Sequence, residues 1–108
     1  MKCPEITVAD LEQWIQEKRA FLLVDVREPE EYAICRFPQT THEIPLGRLQ
    51  REGFALPEEH DIVVYCRSGK RSMYATLFLH SEGYQRVYNL KGGILEYIAQ
   101  FQKDWTVY

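Results

Sequence analysis

The chain has 108 residues, with 13 Lys or Arg, 16 Asp or Glu, and a formal net charge of −3. This length suits a single domain over residues 1–108, and a composition of 45% hydrophobic and 27% charged residues argues against a disordered chain. The mild acidity and the short apolar runs favour neither nucleic acid nor a membrane as a partner.

The first predicted element is an amphipathic helix over residues 8–18, in which the apolar side chains recur at helical spacing. Thr7 is a candidate N-cap residue. Asp10, three residues further on, completes a capping box with a short acidic side chain. The helix therefore has a defined beginning in the sequence.

A buried strand and a short helix follow. Residues 21–26 are an apolar run that is broken only by Asp25, which is typical of a strand buried on both faces of a parallel sheet. Residues 28–32 predict a short helix, because Pro29 suits a first helical turn and the acidic side chains favour the helix N-terminus.

The second half of the chain alternates strands and helices. Residues 35–60 contain many prolines and glycines and predict only one short strand, near residues 42–44. Apolar runs predict strands at 62–65 and 87–90. Helical patterns then predict one helix from Met73 to Glu82 and a closing helix from residue 94 to 101. This alternation predicts an α/β domain with a mostly parallel sheet.

The three cysteines, Cys3, Cys35 and Cys66, are an odd number, so at least one thiol should be free. The odd count disfavours a disulfide framework, and the absence of a Cys-x-x-Cys pair disfavours a metal site of the zinc-ribbon type. The N-terminal residues lead into no apolar signal segment, and we therefore expect a cytoplasmic protein.

The segment after the predicted strand at residues 62–65 has the pattern of an activated nucleophile. Cys66 follows the strand directly, where open α/β sheets bind ligands. Gly69 permits a tight turn whose backbone N–H groups converge on an anion, and the next helix adds its positive N-terminus. Arg67, Lys70 and Arg71 add full charges, so the pattern favours a thiolate. The alternative is a small buried cysteine beside solvated charges.

Three segments of the chain resemble rhodanese-like domains, in the order and at the spacing typical of that family. They are residues 23–32 (LVDVREPEEY), 63–72 (VVYCRSGKRS) and 83–94 (GYQRVYNLKGGI). The resemblance implies one three-layer α/β/α domain with a five-stranded parallel sheet. It also implies a sulfurtransferase that works without a metal or an organic cofactor.

In such a domain, Cys66 would carry the transferred sulfur as a persulfide, and a small anionic donor such as thiosulfate would supply it. The resemblance places the anion-binding loop on the six residues after the cysteine: Arg67, Ser68, Gly69, Lys70, Arg71 and Ser72. Arg71 is the best candidate for direct contact with the donor. The Lys70-Arg71 ending is similar to that of rhodaneses that use thiosulfate.

Four residues are predicted to support the site without taking part in the chemistry. Asp25 would be a buried carboxylate that needs partners, which Arg27 or the N–H groups of the loop could supply. Gly92 and Gly93 would allow close packing beside the active loop.

The chain departs from the family pattern after the acidic segment, where many members have Gly-His and this one has Cys35-Arg36. This version is similar to rhodanese domains appended to enzymes that activate sulfur-carrier proteins, so a sulfur-carrier protein is a possible acceptor besides a thiol or cyanide. Cys35 is either a small core residue or a second thiol near the loop.

Two other functions fit parts of the pattern. A phosphatase or arsenate reductase on the same fold would also use a cysteine in a nest of N–H groups, but it needs five residues before the arginine, and only four separate Cys66 from Arg71. A binding module without catalysis is the second alternative, since a fold alone does not set a function.

Overall fold

The computed structural model describes residues 2–52, 55–57 and 59–108. Its centre is a five-stranded sheet in which the described strand pairings are all parallel. The sheet order is β1-β5-β4-β2-β3, and the strands are β1 (Glu5–Ile6), β2 (Phe21–Asp25), β3 (His42–Glu43), β4 (Asp61–Tyr65) and β5 (Val87–Leu90). The helices are α1 (Val8–Gln16), α2 (Pro29–Tyr32), α3 (Leu46–Glu52), α4 (Lys70–Ser81) and α5 (Gly93–Phe101).

Two apolar layers cover the two faces of the sheet. One layer joins α1 and α5 to the sheet, and Val63 and Tyr65 point into it. The other joins α3 and α4 to the sheet, and Val64 and Cys66 point into it. This alternation along the central strand places the Cys66 side chain on the α4 side. The predicted three-layer α/β/α domain with a five-stranded parallel sheet is confirmed.

The capping box predicted at the first helix is present, with the Asp10 N–H donating to Thr7 Oγ1 over 3.1 Å and the Thr7 N–H donating to Asp10 Oδ2 over 2.9 Å. The predicted strands at 21–26, 62–65 and 87–90 correspond to β2, β4 and β5. Across the described residues, none of the helices combines the length and the apolar character needed to cross a bilayer.

The sequence did not predict β1 and α3. The edge strand β1 has only two residues, Glu5 and Ile6, too few for a periodic pattern. Helix α3 lies in the segment rich in proline and glycine, and among its described residues only Leu49 is buried, so its apolar stripe is weak.

Candidate active site

The Cys66 sulfur lies at the carboxyl edge of β4, and only 1% of the residue is exposed. The backbone N–H groups of Gly69 and Ser72 both donate to Cys66 Sγ, over 3.1 Å and 3.4 Å. The Ser72 hydroxyl oxygen lies 3.3 Å from the same sulfur. We call these two N–H groups and the hydroxyl the sulfur cradle. Its N–H dipoles favour negative charge on the sulfur.

The helix after the cradle begins earlier than the sequence predicted. Lys70, Arg71 and Ser72 were expected in the loop and Met73 at the helix start, but α4 begins at Lys70. The reason is Gly69, which takes the left-handed conformation at φ 100° and turns the chain directly into the helix. The positive N-terminus of α4 therefore lies beside the sulfur.

The carbonyl side of the same turn packs against the start of α5. The N–H groups of Ile94 and Leu95 donate to the carbonyls of Cys66 and Arg67 over 3.0 Å and 3.1 Å. A Cβ atom on Gly93 would lie 2.4 Å from the Arg67 carbonyl oxygen, closer than any side chain tolerates. Gly93 therefore lets the two backbones meet, and the turn is held on both sides.

Asp25 and Arg27 form an ion pair that is completely buried, and the backbone N–H of Arg27 also donates to the Asp25 carboxylate. Arg27 Nη2 lies 2.8 Å from Asp25 Oδ2, and the Arg27 N–H donates to Asp25 Oδ1 over 2.9 Å. Burial opposes the guanidinium charge, but the hydrogen bonds to Asp25 and Tyr108 raise the pKa of Arg27 above its ordinary value. Of the two partners proposed for Asp25, the structure has Arg27.

Arg71 does not point freely toward a ligand. Its two terminal nitrogens donate to the two carboxylate oxygens of Glu31 in α2, over 2.6 Å and 2.9 Å. The hydroxyl of Tyr108 donates to Glu31 over 2.7 Å and accepts from Arg27 over 2.8 Å. These hydrogen bonds link the two ion pairs, and we call Asp25, Arg27, Glu31, Arg71 and Tyr108 the ionic rim.

The rim shifts the proton affinity of its members. The hydrogen bonds from Arg71 lower the pKa of Glu31 to about 2, despite partial burial, and the same contact raises the pKa of Arg71. Burial raises the pKa of Tyr108 to about 12. Glu31 and Arg71 are therefore ionised across the ordinary pH range, and Tyr108 is neutral there.

The other residues of the predicted anion-binding loop face outward. Arg67 is exposed, and its Nε donates to the Tyr108 carbonyl oxygen over 2.7 Å. Ser68 and Lys70 are also exposed, and Lys70 forms no ion pair among the residues the structure describes. The loop thus keeps a positive surface around the buried sulfur.

The remaining cysteines and histidines are separate from the cradle. Cys35 is half-buried and packs against the core on the α1 and α5 side, in agreement with a core residue. His80 bonds the Val87 carbonyl and His42 the Thr41 hydroxyl, and no described histidine contacts Cys66. Within the described residues, no group of His, Cys, Asp and Glu is arranged to hold a metal ion.

Sequence reasoning missed three residues that touch the site: Glu31, Asn89 and Tyr108. Asn89 is a polar residue inside an otherwise apolar strand, and this was a usable signal, since the same feature drew attention to Asp25. Glu31 was only one of several acidic residues at a helix start. Tyr108 carried no local signal.

Fold and site together define a class of protein in which a parallel α/β sheet presents a cysteine sulfur to a cradle of backbone N–H groups. The chain belongs to the rhodanese-like family, since the rhodanese-like domain matches residues 7–100.

The relatives of the chain agree with this assignment. A sulfurtransferase of Allochromatium vinosum is 38% identical over 91 residues, which are 84% of this chain and 84% of that protein. The putative sulfur carrier protein YrkF of Bacillus subtilis is 32% identical over 95% of this chain, which spans 51% of that longer protein. The crystal structure of a rhodanese-related protein from Thermoplasma volcanium matches with a TM-score of 0.80 and 30% identity, over 91% of this chain and 93% of that one. These relatives support a rhodanese-type sulfurtransferase activity.

Proposed function

We propose that the protein moves sulfane sulfur from thiosulfate or a related donor to a thiophilic acceptor through a persulfide on Cys66. The observation that carries this proposal is the convergence of the Gly69 and Ser72 N–H groups on the buried Cys66 sulfur. A cradle of this kind stabilises a thiolate before transfer and the negative outer sulfur of a persulfide after it.

The transfer has two balanced halves. The Cys66 thiolate attacks the outer sulfur of thiosulfate, a new S–S bond forms, the donor's own S–S bond breaks, and sulfite leaves with the electron pair. An acceptor thiolate or cyanide then attacks the outer sulfur of the persulfide, and the Cys66 thiolate leaves. This is covalent catalysis with two successive displacements.

The positive groups around the cradle would attract the anionic donor. Arg71 uses its terminal nitrogens on Glu31, but its side chain is still 36% exposed, so part of the guanidinium faces solvent. Lys70 and Arg67 are exposed on the same turn. Because a guanidinium has five N–H donors, Arg71 could contact a sulfonate while it keeps Glu31.

A sulfur-carrier protein, or its adenylated C-terminus, is the acceptor that we propose besides small thiols. The family relative YrkF, which is named a putative sulfur carrier protein, supports an acceptor of this class. With an adenylated carrier, the outer sulfur of the persulfide would attack the acyl carbon and AMP would leave, which gives an acyl persulfide on Cys66. A thiol added after this step would break the remaining S–S bond, and the carrier should then bear a thiocarboxylate. Failure to form it, with an active persulfide, would restrict the acceptors to small molecules.

The test of the persulfide is the intact mass of the purified protein before thiosulfate, after thiosulfate and after cyanide. We expect the wild type to gain one sulfur atom that cyanide removes. Cys66→Ser should gain none. Cys35→Ser and Cys3→Ser are matched controls that keep the cradle, and they should gain sulfur like the wild type.

Two results would contradict the proposal. Sulfur gain that survives in Cys66→Ser but disappears in Cys35→Ser would move the carrier to the second thiol. No gain in any variant, together with hydrolysis of an aryl phosphate that depends on Cys66, would favour the phosphatase alternative.

A further inference from the structure

Asn89 is buried in β5, next to the central strand, and its side chain contacts two cradle residues, Gly69 and Ser72. Its exposure is 1%, and its backbone lies opposite Val64 of β4. The carboxamide bonds three groups: the Glu5 carboxylate, the Gly69 carbonyl and the Ser72 hydroxyl. None of these bonds was needed for the proposed transfer.

The orientation of the Asn89 amide is fixed by its partners. Nδ2 lies 3.0 Å from Glu5 Oε2 and 3.1 Å from the Gly69 carbonyl oxygen, and both partners are acceptors only. The opposite orientation would place Oδ1 against those two oxygens. Oδ1 therefore faces the Ser72 hydroxyl.

The Ser72 hydroxyl has one proton and two neighbours that compete for it. Asn89 Oδ1 is an acceptor only, so Ser72 must donate its proton to form that bond. The Cys66 sulfur is the other neighbour, 3.3 Å away. While Cys66 is a thiol, its S–H can donate to the Ser72 oxygen, and both bonds are satisfied.

Formation of the thiolate disturbs this arrangement. The S–H bond breaks, the proton leaves to a base in the solvent, and the electron pair stays on sulfur. The sulfur is then only an acceptor, so the Ser72 hydroxyl must turn its proton from Asn89 to the sulfur, or leave two lone pairs facing each other. Either outcome raises the free energy of the thiolate, by an amount that depends on the hydrogen bond between Ser72 and Asn89.

We propose that Asn89 is a positioning residue for the sulfur transfer, because its carboxamide oxygen competes with the Cys66 sulfur for the single Ser72 proton. The role in transfer rests on the proposed function, whereas the competition itself does not. When a persulfide forms, the charge moves to the outer sulfur, and the Ser72 proton returns to Asn89. Asn89 thus favours the thiol and the persulfide over the free thiolate.

The experiment is the rate of Cys66 alkylation by iodoacetamide as a function of pH, in a background of Cys3→Ser and Cys35→Ser. Asn89→Leu, which has a similar volume and no acceptor, should move the midpoint to lower pH by about half to one unit, the worth of one hydrogen bond. Ser72→Ala should move it to higher pH by a similar amount. In Ser72→Ala, the Asn89 substitution should have no further effect on the midpoint.

The remaining charges near these groups are the same in all variants. Arg71 interacts with the Cys66 charge and Glu5 contacts Asn89, and neither is substituted. Ser81→Ala removes an exposed hydroxyl of the same helix and is the matched control, with an unchanged profile expected. The proposal is wrong if Asn89→Leu moves the midpoint upward by the same amount in the wild type and in the Ser72→Ala variant. Asn89 would then only support the loop.

A measurement on the wild type covers the case in which Asn89→Leu does not fold. The NMR resonances of the Asn89 side-chain amide should follow the Cys66 titration in the wild type and not in Ser72→Ala. If these resonances follow the Cys66 titration in both proteins, the proposed competition for the Ser72 proton is wrong.

If the alkylation profiles behave as expected but no persulfide forms, only the proposed function fails. If the persulfide forms and the profiles do not differ, only this inference fails.

Discussion

The sulfur cradle and the ionic rim lie beside each other, yet they are built in opposite ways. The cradle consists of two backbone N–H groups and one hydroxyl, from residues three and six positions after Cys66. The rim consists of charged side chains and a phenol from distant segments, such as Arg71 with Glu31, 40 residues apart, and Arg27 with Tyr108, 81 residues apart.

The two regions around the Cys66 sulfur are therefore stabilised by different interactions. The cradle depends on backbone geometry, which Gly69 and Gly93 make possible, so its two N–H groups should keep their positions without any ion pair. The rim depends on charge pairing and should weaken when the Glu31 carboxylate is protonated. A substitution therefore has a different signature depending on which region it breaks.

The largest effect should come from breaking the rim at its buried end. Arg27→Met leaves the Asp25 carboxylate buried without its ionic partner, and the free energy of unfolding should fall by about 3–5 kcal/mol. Urea unfolding at neutral pH measures this. The matched control is Arg36→Met, whose pair with Glu43 is exposed and should cost about 1 kcal/mol or less. Equal losses in the two variants would mean that the buried pair contributes no more than a surface pair.

Breaking the cradle should have the next largest effect. In Gly93→Ala, the new Cβ would meet the Arg67 and Cys66 carbonyl oxygens at 2.4 Å and 2.7 Å, so the turn must move. We expect the free energy of unfolding to fall by about 3 kcal/mol and the persulfide yield to fall with it. The control is Gly83→Ala, which shares the left-handed backbone at φ 102° but has no atom within 4 Å of the new Cβ. It should cost about 1 kcal/mol and leave the persulfide yield unchanged.

The sequence predicted the cradle better than the rim for a physical reason. A strand, a cysteine, a turn glycine and a helix are neighbours in the chain, so their geometry follows from local rules. Glu31 and Tyr108 reach Arg71 and each other only through the tertiary fold, and no spacing rule links them. The sequence therefore showed Arg71 as an open cation, whereas the structure pairs it with Glu31.

The same limit explains the fold predictions. The long apolar runs predicted β2, β4 and β5, because burial on both faces leaves a strong pattern. The short β1 and the weakly amphipathic α3 take their positions from contacts made elsewhere. Asn89 lies between these cases, because its polarity inside a buried strand was visible but its three partners were not.

The smallest effect, and the one that best separates the two regions, is a dependence on pH. The pKa of Glu31 is lowered from its ordinary 4.5 to about 2, so its ion pair stabilises the fold fully above pH 4.5 and loses this contribution as the pH falls to 2. Glu31→Gln should therefore be less stable than the wild type by about 1 kcal/mol at neutral pH, a modest amount since the Arg71 side chain is 36% exposed. The difference should shrink as the pH falls below 4.5 and disappear only below pH 2.

Urea unfolding of wild type, Glu31→Gln and Gly93→Ala at several pH values between 7 and the acid limit of reversible folding tests this expectation. The difference in the free energy of unfolding between wild type and Glu31→Gln should narrow below pH 4.5. Protonation of Glu31 then weakens the ion pair with Arg71 in the wild type, and the variant lacks this ion pair at every pH. The gap between wild type and Gly93→Ala should stay constant, since a steric contact between backbone atoms does not titrate. A Glu31→Gln gap that is constant with pH would show that the carboxamide loses packing rather than charge, and the distinction between the two regions would then rest on Arg27 alone.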